Sequence, residues 1–284
     1  MRTQMLGRLN LDAGRLSEEL DRSRTFEYAE QYPEFQSGSR PWQTCMLWSA
    51  GGEVGDGVIA RYDMSSACQP TVFGERLTYL REVVERHFVV EHLLFGRLVV
   101  MTDNVLVPHR DFVEFTERSA EARATHRLHV PLATGADCLF LEDNVVYRML
   151  PGEVWSLDVT RLHSAAVLSG TRRVHLILDF ADVPDDDLLR FARARSAGIP
   201  EHSLVERPPL SDGQRDALLG LSGVIDCENL KEVFGLVIRK HYRRDGGQDF
   251  VWTTMRAIAR ASGDAEVGAR IEELFRHCTL EREE

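Results

Sequence analysis

Paired cysteines, long apolar runs and a surplus of positive charge are all missing from this chain, and each absence removes a class of protein. Five cysteines (Cys45, Cys68, Cys138, Cys227 and Cys278) are scattered over 284 residues, an odd number with no Cys-x-x-Cys spacing. That pattern suits a reducing compartment better than a disulfide framework. No stretch approaches the ~18 consecutive apolar residues of a membrane span. The opening "MRTQMLGRLNLDAGRL" lacks the continuous apolar core of an export signal, so a soluble, cytoplasmic protein is expected. Lysine and arginine total 34 against 45 acidic residues, a formal charge of −11. Such a chain has no general attraction for nucleic-acid phosphates. Internal repeats and low-complexity tracts are also absent.

What is present is an ordinary globular composition, 43% hydrophobic, enough for a sizeable core in one large domain or one domain with an appendage. Residues 1–72 mix a short opening strand, a helix near 11–22 and irregular segments such as "QSGSRPW" and "SAGGEVGDG". Leu77, Leu80, Val83, Val84 and Phe88 recur at helical spacing and predict a helix over 74–88 whose stripe packs on the core. From 95 to 181 the texture changes to about eight short apolar or alternating runs, punctuated at Asp143-Asn144, Pro151-Gly152 and Ser169-Gly170. Strands without intervening helices predict a β-sandwich or jelly roll. Beyond Phe180, "DVPDDDLLRFARARSAG" reads as a helix with acids at its positive end. After the Pro-rich "IPEHSLVERPPL", Ser211 and Gln214 form a capping box. Further helices near 227–243, 248–262 and 264–279 complete a helical bundle. The expected division is 1–182 for the β core with its N-terminal helices and 183–284 for the helical region.

The chemistry begins in "LVPHRDFVEF", residues 106–115. Alternate residues of a strand share a face, so His109 and Asp111 project into one space. A site of two imidazoles and one carboxylate, with open positions for chemistry, needs one more histidine. Of ten histidines, His87 and His92 lie on or just after a helix, and His202, His241 and His277 fall in the helical tail. His126, His129, His163 and His175 remain in the strand region. His163 is the best third ligand, late in the β region where a folded-over sheet could oppose it to His109. Ten positions on stands Arg173. A loop of odd length between them puts His163 and Arg173 on the same side, whereas a two-residue turn puts them on opposite faces. A planar guanidinium there would bind a carboxylate bidentately. Iron with three open positions and a deeper arginine matches 2-oxoglutarate, chelating through its 1-carboxylate and 2-keto oxygens with its 5-carboxylate on Arg173, and leaves one position for O2. Singly, His163 reads as a structural histidine and Arg173 as an ion-pair residue. Their order within a β barrel is what distinguishes them.

With those residues in hand, "VPHRDFVEF", "RLHVPL", "MLPGEVWSLD", "LHSA" and "RRVHLILDF" resemble the aspartyl/asparaginyl β-hydroxylase superfamily of iron(II)/2-oxoglutarate dioxygenases. Within it the resemblance is to the bacterial proline 3-hydroxylases, and it extends over "MRTQMLGRLNLD", "PEFQSG" and "LSGVIDCENLKEVFGL" in the tail. It implies a mainly β fold with α: a double-stranded β-helix (jelly roll) flanked by N-terminal helices and a C-terminal helical bundle. It implies Fe(II) held by His109, Asp111 and His163, and 2-oxoglutarate anchored by Arg173. Arg127 and His129 of "HRLHVPL", two apart on a strand, would face the cosubstrate or substrate, or else form a buried ion pair or hydrogen-bonded core polars. Arg97, Arg110 and Trp155 are candidates for the substrate pocket, Trp155 having a plain core reading as well. O2 is the second cosubstrate, with ascorbate as a candidate stimulant. Asp111 favours hydroxylation, because related halogenases lack the carboxylate at this place.

The implied reaction hydroxylates a free cyclic L-amino acid, L-proline or L-pipecolic acid, at C3, with 2-oxoglutarate decarboxylated to succinate and CO2. Supply of precursors for nonribosomal peptide antibiotics would follow by analogy. The partner is a small-molecule amino acid, with no nucleic acid and no membrane, in a monomer or homodimer. Two other classes compete. A dioxygenase acting on a protein side chain or nucleobase would need an open groove, and a non-catalytic cupin-like binding protein would show no O2-dependent turnover. A metallohydrolase is a more distant rival, since nothing reads as a dedicated general base beside the three ligands.

Overall fold

Along "RVHLILDF" the residues Val174, Leu176, Leu178 and Phe180 alternate with Arg173, His175, Ile177 and Asp179, and this period of two sorts the molecule into layers. The structure is a computed structural model describing residues 3–31, 33–57, 62, 65–111, 126–181, 185–193 and 198–279. Two sheets carry the fold, and every strand pairing within them is antiparallel. The larger contains β1 (Gln4–Arg8), β2 (Ala29–Glu30), β4 (Gln43–Ala50), β5 (Cys68–Pro70), β6 (Leu93–Met101), β8 (His126–Ala133), β11 (Glu153–Leu157) and β13 (Arg173–Phe180). Its order is β1-β11-β8-β13-β6-β4-β2, with β5 on β4. The smaller runs β10 (Val145–Tyr147), β9 (Cys138–Glu142), β12 (His163–Val167), β7 (Asn104–Leu106), β3 (Gln36–Gly38).

The sheets face one another. Met101, Trp155 and Leu157 of the larger sheet pack with Cys138, Phe140, Tyr147, Ala165 and Val167 of the smaller, and this shared layer also holds the polar residues of β13 and β8. The outer face of the larger sheet (Leu98, Val100, Leu128, Val130, Val174, Leu176, Leu178) is covered by α1 (Ala13–Ser23), α2 (Val72–Arg76) and α3 (Thr78–His87). A short α4 spans Asp185–Leu188. The outer face of the smaller sheet (Val105, Leu139, Leu141, Ala166) is covered by α5 (Asp212–Leu219), α6 (Leu230–Arg243), α7 (Phe250–Ser262) and α8 (Ala265–Thr279). Ser211 and Gln214 make the reciprocal capping box that begins α5. The Pro-rich link is not free chain: Leu204 bridges Tyr147, and Arg207 donates to the carbonyls of Asn144 and His241.

Four sequence expectations are corrected. The stripe at 77–88 is not one helix but α2 and α3 meeting at Leu77, because the buried Glu19 carboxylate accepts the N–H groups of Tyr79 and Leu80 and starts a new helix there. The helix expected over 182–198 shrinks to α4. There the Leu188 carbonyl accepts from Val89 and the Arg190 N–H donates to His87, so the backbone groups that would continue the helix pair with the end of α3. Residues 182–184 and 194–197 of that expectation lie outside the described residues. The region before 72, expected to be irregular beyond its first strand and helix, contributes the eight-residue β4, which pairs with β6 from Gln43 to Trp48. Lastly, His163 and Arg173 are not on paired strands: β12 belongs to one sheet and β13 to the other, so loop parity does not decide their sides. All five cysteines are free. Among the described residues, no helix is long and apolar enough to cross a membrane.

Candidate active site

Proline at 108 has no amide hydrogen, so β7 stops at Leu106 and pairing resumes one residue past it. His109 and His163 exchange reciprocal backbone hydrogen bonds of 2.9 Å. That pairing lays the two imidazoles side by side, ring centres 4.6 Å apart. Each ring is then oriented by a carbonyl two residues earlier: His109 Nδ1 lies 2.7 Å from the Val107 oxygen and His163 Nδ1 2.9 Å from that of Arg161. A proton on Nδ1 satisfies both contacts and makes Nε2 the ring atom that would meet a metal. Those Nε2 atoms converge on Asp111, at 3.4 Å and 3.7 Å from Oδ1. The three donor atoms lie within 4.8 Å of one another, a spacing that can hold a metal ion.

Asp111 is fixed from its other oxygen. Oδ2 accepts from the Arg127 guanidinium, whose Nε donates to Asp179 Oδ1 at 2.6 Å. Asp179, fully buried, also pairs with Arg97 at 3.2 Å. Burial alone would raise the Asp111 carboxyl, but Arg127 and the two imidazoles outweigh it and hold the group well below the usual carboxylate range. It is therefore an anion ready to meet a cation. Burial, reinforced by the neighbouring His109, lowers His163 to about 4, which keeps it neutral.

Farther along the same interior layer stands Arg173, 4% exposed. Its Nε donates to His175 Nε2 at 3.0 Å, Nη1 approaches the Met101 sulfur at 3.7 Å, and the guanidinium lies 4.3 Å from the Phe140 ring centre. Among the described residues no carboxylate pairs with it. Burial lowers Arg173 to about 10, so it remains charged near neutral pH. Burial first, and then Arg173 itself, depress His175 and His129 well below the ordinary histidine range, so both are neutral. A buried cation without a counter-ion is costly, and a ligand carboxylate would relieve that cost.

The structure thus brings His109, Asp111, His163 and Arg127 into direct contact, and places His129, Arg97 and Arg173 on the same interior layer. Trp155 sits opposite His129 on β11, fully buried, stacked on Tyr147 and donating to Glu153. Arg110 is exposed, and its contribution is a backbone N–H. Sequence reasoning missed Asp179 and His175. Their only sequence signal was the placing of polar residues at 173, 175 and 179, on the face of a strand whose alternate residues, Val174 to Phe180, are wholly apolar.

Residues 10–182 match the family described as "Aspartyl/Asparaginyl beta-hydroxylase", and residues 186–284 match "L-proline 3-hydroxylase, C-terminal". An L-proline cis-4-hydroxylase from Rhizobium meliloti (strain 1021) is 29% identical over 282 residues, covering 97% of this chain and 96% of the relative. L-proline cis-3-hydroxylase 1 from Streptomyces sp is 32% identical over 282 residues, covering 96% and 93%. Among solved structures, an oxidoreductase of the 2OG-Fe(II) oxygenase family from Burkholderia pseudomallei superposes with a TM-score of 0.40 at 13% identity, over 63% of this chain and 85% of the other.

The protein is an enzyme, a 2-oxoglutarate-dependent dioxygenase. Its donor set suits the cofactors of that class: two imidazoles and a carboxylate directed at one point, with a buried guanidinium that has no carboxylate partner among the described residues. More narrowly, the chain belongs to the aspartyl/asparaginyl β-hydroxylase family.

Proposed function

We propose that this enzyme hydroxylates a free cyclic L-amino acid, L-proline or its six-membered homologue L-pipecolic acid, at C3, with C4 the alternative suggested by the Rhizobium relative. The reading is carried by the convergence of His109 and His163 Nε2 on Asp111, in a chain matching relatives named L-proline hydroxylases over nearly their whole length. In this reading the facing sheets are a jelly roll with a catalytic unit over 1–182 and a helical unit over 183–284, a division supported by the two family matches.

His109, Asp111 and His163 would hold iron(II), which together with 2-oxoglutarate and O2 supplies oxidation of an unactivated C–H bond, the cosubstrate leaving as succinate and CO2. The chain's own residues do the rest. The Val107 and Arg161 carbonyls keep the imidazoles presenting Nε2. Arg127 restrains Oδ2 of Asp111 and so leaves Oδ1 on the side where the two Nε2 atoms converge, where it would serve as the third ligand. Arg173 would receive the distal carboxylate of 2-oxoglutarate, steadied by His175 and, behind it, His129 at 3.4 Å. Arg97, at the far end of the Arg127–Asp179 chain, is the proposed partner of the substrate carboxylate. Trp155 forms part of the pocket wall, and Arg110 is an outer contact.

The test is anaerobic difference spectroscopy with iron(II) and 2-oxoglutarate, followed by exposure to O2 with each amino acid. The expected result is a weak visible charge-transfer band that is lost in His109→Ala. Succinate and a hydroxylated amino acid should then form in equal amounts. No band with stoichiometric iron bound would refute the site, and succinate without hydroxylated proline or pipecolic acid would refute the substrate.

A further inference from the structure

The residue between His109 and Asp111 is exposed at its side chain, yet its backbone is held from across the molecule. The His109 N–H donates to the His163 carbonyl at 2.9 Å, and the Asp111 N–H to that of Val159 at 3.0 Å. The Arg110 N–H between them donates at 2.9 Å to the carbonyl of Cys278, in the last turn of α8. Carbonyls of a final helical turn lack partners within the helix and carry the negative end of its dipole, so they are natural acceptors. Three different segments therefore fix three consecutive N–H groups, and the middle one comes from the helical unit.

A second contact from that unit reaches the residue next to the other histidine. The Tyr242 hydroxyl on α6 donates at 3.0 Å to Ser164 Oγ, which donates at 2.6 Å to the Leu106 carbonyl. Ser164 follows His163 on β12, and Leu106 ends the strand that leads to His109. Both contacts are made from the outer face of the smaller sheet, where Val105, Val107 and Ala166 pack among Phe234, Val237 and Ile238 of α6. Neither of these two contacts is to a ligand side chain; both act on the backbone that aims the ligands.

We propose that the C-terminal helical unit is a positioning device for metal binding. The Cys278 carbonyl holds the backbone of the 109–111 stretch, and the Tyr242 hydroxyl, through the Ser164 side chain, holds the end of the strand that leads to it, so that the donor atoms are set before a metal arrives. The proposal rests on these residues binding a metal. Pre-setting ligands in this way strengthens affinity, and loss of such outer support typically costs about 10–100-fold.

The experiment uses manganese(II) as the probe, titrated against the full chain, a chain ending at His277, and Tyr242→Phe, with amide hydrogen exchange recorded on the metal-free proteins. Wild-type protein binds one manganese and His109→Ala does not; failure of either refutes the metal reading itself. Given that binding, the shortened chain is expected to bind about tenfold more weakly. Its lost exchange protection should be confined to the segment containing Arg110. Tyr242→Phe should weaken binding about threefold, the scale of one hydrogen bond. Affinity within about twofold of wild type in a folded shortened chain overturns the proposal. So does a loss of protection spread over both sheets, which would make the helices general scaffold. If the shortened chain does not fold, Tyr242→Phe decides: weakened binding with unchanged stability supports the proposal, and unchanged binding overturns it.

Discussion

Arg173 concentrates the conflict between stability and function in one side chain. A guanidinium this buried, resting on a histidine nitrogen, a thioether and an aromatic face, gives up its hydration without a carboxylate in return. Replacing it with an apolar side chain of similar length should relieve the ligand-free fold while removing the anchor for a dicarboxylate. Arg173→Met is expected to raise the unfolding free energy of the metal- and ligand-free protein by about 1–4 kcal/mol. It should also weaken 2-oxoglutarate by about 100-fold, the scale of losing a charged, buried hydrogen-bonded pair. Urea unfolding and cosubstrate titration read the two effects separately, and a destabilised variant would mean that the fold itself satisfies the cation. At this scale His109, Asp111, His163 and Arg173 were legible because side chains of these types, in this order, have few purely structural uses in a β region. Asp179 and His175 were not singled out. An acid and a histidine on a strand acquire meaning only when their neighbours on adjacent strands are known, and those neighbours are Arg127, Arg97 and His129.

Helices of this chain follow their sequence signals where local capping decides, and depart from them where a distant residue intervenes. The box at Ser211 and Gln214 lies within four residues and was readable. The break at Leu77 depends on Glu19, some 60 positions away on α1, whose carboxylate caps two N–H groups of α3. Glu19→Gln keeps the shape but weakens both bonds and is expected to destabilise the protein by about 1–2 kcal/mol in urea unfolding. A change below about 0.5 kcal/mol would place the cause of the break elsewhere. The contraction of the expected helix at 182–198 has the same logic, since its backbone groups pair with Val89 and His87. Hydrophobic periodicity reports which face is buried, not which distant group will claim the backbone.

For the molecule as a whole, the neutral histidines inside the fold set a pH dependence. Burial depresses His129 and His175 well below their ordinary value, and lowers His241, stacked on Phe250, to about 4. In the unfolded chain these groups take up protons near ~6.5. Stability from keeping them neutral is thus complete above ~6.5 and declines as pH falls toward 4, because the unfolded state then binds more protons. The metal-free protein should lose unfolding free energy steadily over that window, and His241→Gln should remove roughly 3 kcal/mol of the drop. The slope in denaturation series at several pH values is the readout, and an unchanged slope in the variant would count against a buried neutral His241.

The sequence by itself determined the chemical cast and the layering. Residue types in a fixed order pointed to a candidate two-histidine, one-carboxylate site with a cation beyond it, and period-two alternation specified which strand faces would be buried. Tertiary structure alone decided which groups meet. Placing β12 and β13 in different sheets turns the side chains of His163 and Arg173 toward one interior, whatever the length of the loop between them. Folding the last helix back across the smaller sheet puts the Cys278 carbonyl on the amide of Arg110. That contact joins residues 168 positions apart. The energy of such contacts depends on the whole chain having closed, so no local pattern can encode them.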